Sequence, residues 1–269
     1  MKRLLFILLL CSFVVGCVTT QPQSVDTTNL YQLEGLTVEN APTTSASAIG
    51  NIRLEAIEET ATSLGAQGGL AARAMQINAL LEQNANKLDL VFNFQALLLN
   101  HNVLPPVLVE SNQLLNLADP DTIRLADKTY KIVSQARFVT TAPNWRQYLL
   151  MDYQKPAVPD NTLLPRNVQE QRVWIQDINK GWQQGTMQAK TIYLANLARL
   201  ERDYNGMILY RKLLAQNIIS KPYVAQTDLG VTSNDDNSQL YINDQVLRIT
   251  ALPELNPNSK QWRAVLTND

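Results

Sequence analysis

The chain has 269 residues, 45% hydrophobic and 17% charged, which excludes a wholly disordered or collagen-like polypeptide. Lys and Arg number 23 against 24 Asp and Glu, a net charge of −1, so no basic excess exists to neutralise phosphates and general nucleic-acid binding is disfavoured. One histidine, His101, and two cysteines, Cys11 and Cys17, are too few for a His- or Cys-rich metal centre or a disulfide framework.

The chain opens with Met1-Lys2-Arg3, an apolar run from Leu4 to Val15, then Gly16-Cys17. A short positive region, a hydrophobic region and a small residue at a cleavage edge are the parts of a signal peptide. The run spans 12 residues, against about 20 for a membrane-crossing helix. Val14-Val15-Gly16-Cys17 resembles the bacterial lipobox. That resemblance implies a diacylglyceryl group on the Cys17 thiol and cleavage between Gly16 and Cys17. It also implies three acyl chains, where one alone binds only marginally. Val18 rather than Asp follows the lipid cysteine, which implies the outer membrane. The expected domains are a signal peptide (1–16), a lipidated tether (17–47) and a folded body (48–269). The mature chain would keep 21 basic and 24 acidic residues, and its one cysteine would carry lipid.

Residues 18–47 are rich in Thr, Gln, Ser and Pro, a composition that buries little. As a flexible chain of about 30 residues they would average about 30 Å end to end. Leu33 and Leu36 leave room for a short docked segment. Helical periodicity starts near Ile52, with Leu54, Ile57, Ala61 and Leu64 on one face. Gly65, Gly68 and Gly69 are expected to interrupt or bend this helix, with a second starting near Leu70 and running to about Asn100. Pro105-Pro106 imposes an extended passage.

Between 121 and 140 the period changes to two. Ile123 and Leu125, then Tyr130 and Ile132, read as a hairpin turning at Asp127-Lys128. Trp145, Tyr148 and Leu149 suit a short helix after Pro143. Pro156, Pro159 and Pro165 make 153–166 an irregular crossing. From Asn167 to Asn217 two or three helical pieces are expected, with Gly206 marking a break. Gly181 and Gly185, four apart, allow another helix to approach closely. Beyond Pro222 the expected strands are Tyr223–Val231, Leu240–Ile242 and Val246–Ala251, the last two flanking an Asn243-Asp244 turn. The fold class is α+β, a helix-rich body with small β-hairpins; one domain or two fits the pattern.

No standard catalytic constellation is present. A lone histidine supplies neither a two-His zinc site nor an ordinary triad, and His101 reads as a loop or cap residue. Glu58-Glu59, Asp119 with Asp121, and Asp235-Asp236 could in principle serve as paired carboxylates. The first pair reads as a solvated helix face, the second as a turn around Pro120 and the third as a loop. Asp235-Asp236-Asn237 lacks the alternation of a calcium loop. Trp145, Trp174, Trp182 and Trp262 read as core or interface anchors. The 24 asparagines equal all acidic residues together and suit a surface that packs against other proteins.

Several segments in order resemble the DotC family, lipoproteins of type IVB secretion systems and related conjugation machines. They are Gly65 to Leu70, Phe92-Asn93-Phe94, Asn102 to Val107, Thr122 to Asp127, Gln135 to Val139, Trp145-Arg146, Gly181-Trp182 with Gly185, and Asp203-Tyr204-Asn205-Gly206. Pro222-Tyr223-Val224, Asp228 to Thr232, Ile242-Asn243-Asp244 and Leu247-Arg248-Ile249 complete the series. The resemblance covers about 65–256. It implies a non-enzymatic outer-membrane component of an envelope-spanning core ring, without cofactor or direct nucleic-acid contact. The implied partners are a DotD-like lipoprotein and a DotH-like protein, whose placement depends on the lipoprotein pair. Cys17 is the one functional residue that carries over. The alternatives are an envelope hydrolase acting on peptidoglycan through paired carboxylates, or a periplasmic ligand-binding lipoprotein.

Overall fold

A computed structural model describes residues 25–38, 51–119 and 121–263. The architecture is helix-rich α+β. In chain order it comprises α1 (Leu30–Glu34), α2 (Asn51–Gln83), α3 (Ala85–Val91), β1 (Val103–Leu104), β2 (Val107–Asp119), β3 (Thr122–Ser134) and β4 (Arg137–Phe138). There follow α4 (Trp145–Leu149), α5 (Val168–Ala215), β5 (Tyr223–Ser233) and β6 (Leu240–Ala251). The strands form three separate antiparallel pairs: β1 with β4, β2 with β3, and β5 with β6.

The frame is the pair α2 and α5, of 33 and 48 residues. At 1.5 Å per residue α5 is about 70 Å long. Both helices run straight through their glycines, which corrects the expected interruption at 65–69, the second start at Leu70, the division of 167–217 and the break at Gly206. Glycine in a helix costs about 1 kcal/mol against alanine. Here that cost is offset, because the missing Cβ lets two backbones touch. A Cβ on Gly65 would lie 2.3 Å from the Ile178 carbonyl oxygen, and one on Gly69 2.5 Å from that of Trp182. Reciprocally, a Cβ on Gly181 would lie 2.1 Å from the Thr62 oxygen and one on Gly185 2.0 Å from the Ala66 oxygen. Each helix thus presents two glycines four apart, the small-residue pattern that brings helices into backbone contact. The contacts advance together along both chains, so α2 and α5 run parallel at this crossing. The 84–167 excursion is the return path that a parallel pair requires. Gly206 serves a different neighbour: a Cβ there would meet Val107 Cγ1 at 2.6 Å and the Leu108 oxygen at 2.7 Å. It lets β2 lie on α5.

Helix α2 stops at Gln83, short of Asn100; α3 and two 3-10 turns carry the chain to Asn102. His101 and Asn102 both adopt positive φ (60° and 54°), which ends regular helix before the extended Pro105-Pro106 passage. The hairpin centred on Asp127-Lys128 is also corrected. Those residues lie inside β3, where Lys128 Nζ pairs with Glu110 Oε1 across the ladder at 2.8 Å. The strand pairing closes at Asp119 with Thr122, and β2 supplies the partner strand. Likewise Asn243-Asp244 lies within β6, and the turn occupies 234–239. Gly230 (φ 76°) pairs with Asp244 and Val231 with Ile242, and Asn243 (φ 58°) is the residue passed over at the register shift between them. The left-handed tolerance of Asn, read as a turn signal, is spent on a bulge.

The core has three parts. Leu33, Ile57, Leu64, Trp174 and Ile178 form one. Leu33 and Leu36 therefore dock on the chain's own α2 and α5. The Trp174 indole donates to the Leu33 carbonyl (2.9 Å) and the Asn179 amide to Glu34 Oε1 (2.6 Å). Residues 25–38 are thus packed against the body. A second cluster joins Ile77, Leu81, Phe94, Trp145 and Met207. Its edge carries Phe94 stacked on Tyr148 and edge-on to Tyr204. The third joins Leu108, Tyr210, Leu213 and Ile219 under the base of β5.

Candidate functional site

Gly16 and Cys17 lie outside the described residues. Of the carboxylate candidates, Glu58 and Glu59 are exposed on α2, and Asp235 and Asp236 are exposed in the 234–239 loop. Asp236 accepts from the Ser238 hydroxyl (2.7 Å) and amide (3.1 Å), which lowers its pKa. Asp119 ends β2 and Asp121 precedes β3. Of these, Glu59 lines a shallow cleft with Thr60, Ser63, Ala157 and Pro159, and Glu58 is not part of that lining. His101 is exposed at the rim of another. Among the described residues no cluster of three or more His, Cys, Asp or Glu is placed to hold a metal ion. No described helix is long and apolar enough to cross a membrane.

The tryptophans divide. Trp145 and Trp174 are fully buried, the Trp145 indole donating to Asp89 Oδ1 (2.7 Å), while Trp262 remains partly exposed. Among the described residues the most buried charge was not legible in the sequence. Glu170 is 2% exposed and accepts two bonds from the Arg53 guanidinium, at 2.9 and 3.0 Å, and one from the Arg166 amide at 2.9 Å. Burial alone would push its carboxyl up. The hydrogen bonds and nearby positive charges outweigh that and hold it below the ordinary glutamate value. Arg53 also donates to the Thr162 and Leu164 carbonyls. This one cation fixes the 153–166 crossing and the N-termini of both long helices. The Tyr148 hydroxyl, half-buried and bonded to Asp203 (3.2 Å), is pushed up to about 12 by burial and by that carboxylate.

What the molecule leaves exposed differs in character. β5 and β6 carry no buried residue along their length. Val231 and Ile242 are direct cross-strand partners, and Leu240 pairs with Ser233 on the same face. These three are 61, 70 and 65% exposed. A two-stranded hairpin is marginal in water by itself. Contiguous apolar side chains on one signal a contact surface. Between Tyr223 and Ala251 the chain has four aspartates against one arginine, so the arm is acidic. At the foot of the arm a cleft of about 500 Å³ lies between Leu99, Val103 and Leu214, with His101, Arg211 and Lys221 around it and no carboxylate in its lining. The sequence signal for the arm was the alternation after Pro222. Nothing local announced the cleft, which is assembled from three separate segments.

The arm thus presents an exposed apolar face of the kind that makes contacts. The family comparison agrees in kind: residues 51–264 match the family described as type IV secretory system, conjugal DNA-protein transfer (T4SS_TraI). The chain belongs to that family. The match bears out a type IV secretion or conjugation component and does not single out the DotC lipoproteins. No curated protein matches the sequence.

Proposed function

We propose that this chain is a DotC-like lipoprotein, a non-catalytic subunit of the core complex of a type IV secretion or conjugation apparatus. It would be held at the outer membrane by acyl chains on Cys17 and face the periplasm. It would help to seat a DotH-like subunit together with a DotD-like lipoprotein. The observation that carries this reading is the family match over 51–264. The lipobox-like Val14-Val15-Gly16-Cys17 and the exposed apolar arm support it. Docking of residues 25–38 sharpens the anchoring geometry. Seven residues lie between Cys17 and Val25, so Val25 is within about 28 Å of the lipid-bearing residue even at full extension. The subunit would then sit close to the lipid surface.

Cys17→Ser tests the anchor. The expected result is a chain without acyl groups by mass spectrometry, released from the outer-membrane fraction, with transfer by the apparatus reduced at least about tenfold. Without its chains the protein loses about 0.8 kcal/mol of membrane affinity per CH₂. An unacylated variant that stays in the outer membrane and supports full transfer would contradict the proposal.

A further inference from the structure

The acidic apolar arm and the basic apolar cleft complement one another, yet one chain cannot join them. The 11 residues of β5 span about 35 Å at 3.3 Å each. Asp235 and Asp236 lie beyond that strand's far end, whereas Lys221 and Pro222, at its near end, line the cleft. The cleft therefore faces the base of its own arm and is out of reach of its own tip.

We propose that the tip of β5–β6 of one copy seats in the cleft of a second copy, head to tail. This rests on the scaffold reading above and deepens it by naming a partner of the same surface. Val231, Leu240 and Ile242 supply the apolar face that meets the partly exposed Leu98, Leu99 and Leu214. Asp235 and Asp236 supply negative charge for Arg211 and Lys221, with His101 at the rim. The cleft offers two fixed cations and no lining carboxylate, so opposite charge from outside is unopposed. Because the two surfaces differ and lie at opposite ends of an arm, the contact is heterologous. Repetition of such a contact closes into a ring or continues as a filament, and does not stop at a two-fold dimer. Docking also covers a hairpin that alone is marginal.

Two tagged full-length versions expressed together test this, one carrying Leu240→Cys and the other Leu214→Cys. A disulfide needs Cα atoms within about 7 Å, which the arm forbids within one chain. The expected result is a covalent dimer carrying both tags after mild oxidation. Charge reversal on one side, Asp235→Lys with Asp236→Lys, should lower its yield about tenfold, and adding Arg211→Glu with Lys221→Glu on the partner should restore it. All four charged positions are exposed, but Asp236 also accepts from Ser238 within the tip, so Asp235→Lys alone is run beside the double change and should lower the yield in the same direction. Absence of the mixed dimer while both versions co-purify with other apparatus subunits would overturn this inference and leave the scaffold reading standing. Absence of both would overturn the scaffold reading as well. Cross-linking indifferent to charge reversal would also overturn the proposed pairing.

Discussion

Gly185→Ala is expected to destabilise the protein by about 2 kcal/mol, against the ordinary trend for a glycine inside a helix. In a helix open to solvent the same change stabilises by about 1 kcal/mol through propensity alone. Here the new Cβ would sit 2.0 Å from the Ala66 oxygen and 2.7 Å from the Leu70 nitrogen. Both atoms are backbone of a continuous helix, so no side chain can swing aside. The helices must separate, and the matching contacts at Gly65, Gly69 and Gly181 loosen together. Overpacking commonly costs about 1–3 kcal/mol, and a backbone obstacle places this site at the upper end. Urea unfolding of the detergent-solubilised chain measures it. Gly185→Leu should leave no folded protein to extract. A stabilised Gly185→Ala would show that the helices do not touch as described.

Arg53→Met is expected to cost about 3 kcal/mol at neutral pH. Removing one partner strands Glu170, whose side chain is only 3% exposed, and breaking a buried pair in this way costs about 3–5 kcal/mol. Arg53 itself is 29% exposed, so water partly compensates and the lower end applies. The pH dependence has a definite sign. In the intact chain the Glu170 carboxyl is held below 4.5, so its contribution is complete above that value and is lost as pH falls through the lower folded-state value. In Arg53→Met burial acts unopposed by the guanidinium and raises the carboxyl. Protonation then relieves the stranded charge, and the gap between the two proteins should narrow on acidification. Unfolding midpoints between pH 7 and 3 would reveal this; a gap that widens would contradict the pairing.

Much of the fold was legible because it rests on periodicity. The apolar face at Leu54, Ile57, Ala61 and Leu64 was visible, and so were the alternation after Pro222 and the extended Pro105-Pro106 passage. The helix boundaries at Gly65 to Gly69 were not. Local propensity says that glycine breaks helices, whereas Ile178 and Trp182, more than 100 residues away, decide that these glycines are where α5 touches. Asn243 misled for a related reason, since a left-handed backbone serves a bulge as readily as a turn. Nothing local marks Glu170 as buried, because its partner Arg53 lies on a distant helix. The contact surfaces were half legible. The acidic arm is one continuous segment, but the cleft at Leu99, Arg211 and Lys221 exists only once three segments meet.

Gentle detergent extraction of membranes containing the tagged full-length chain, followed by sizing and identification of every co-eluting protein, bears most directly on its role. The account predicts an acylated chain eluting in a large particle with other secretion or conjugation subunits. An acyl-free chain that elutes alone as a monomer would contradict it.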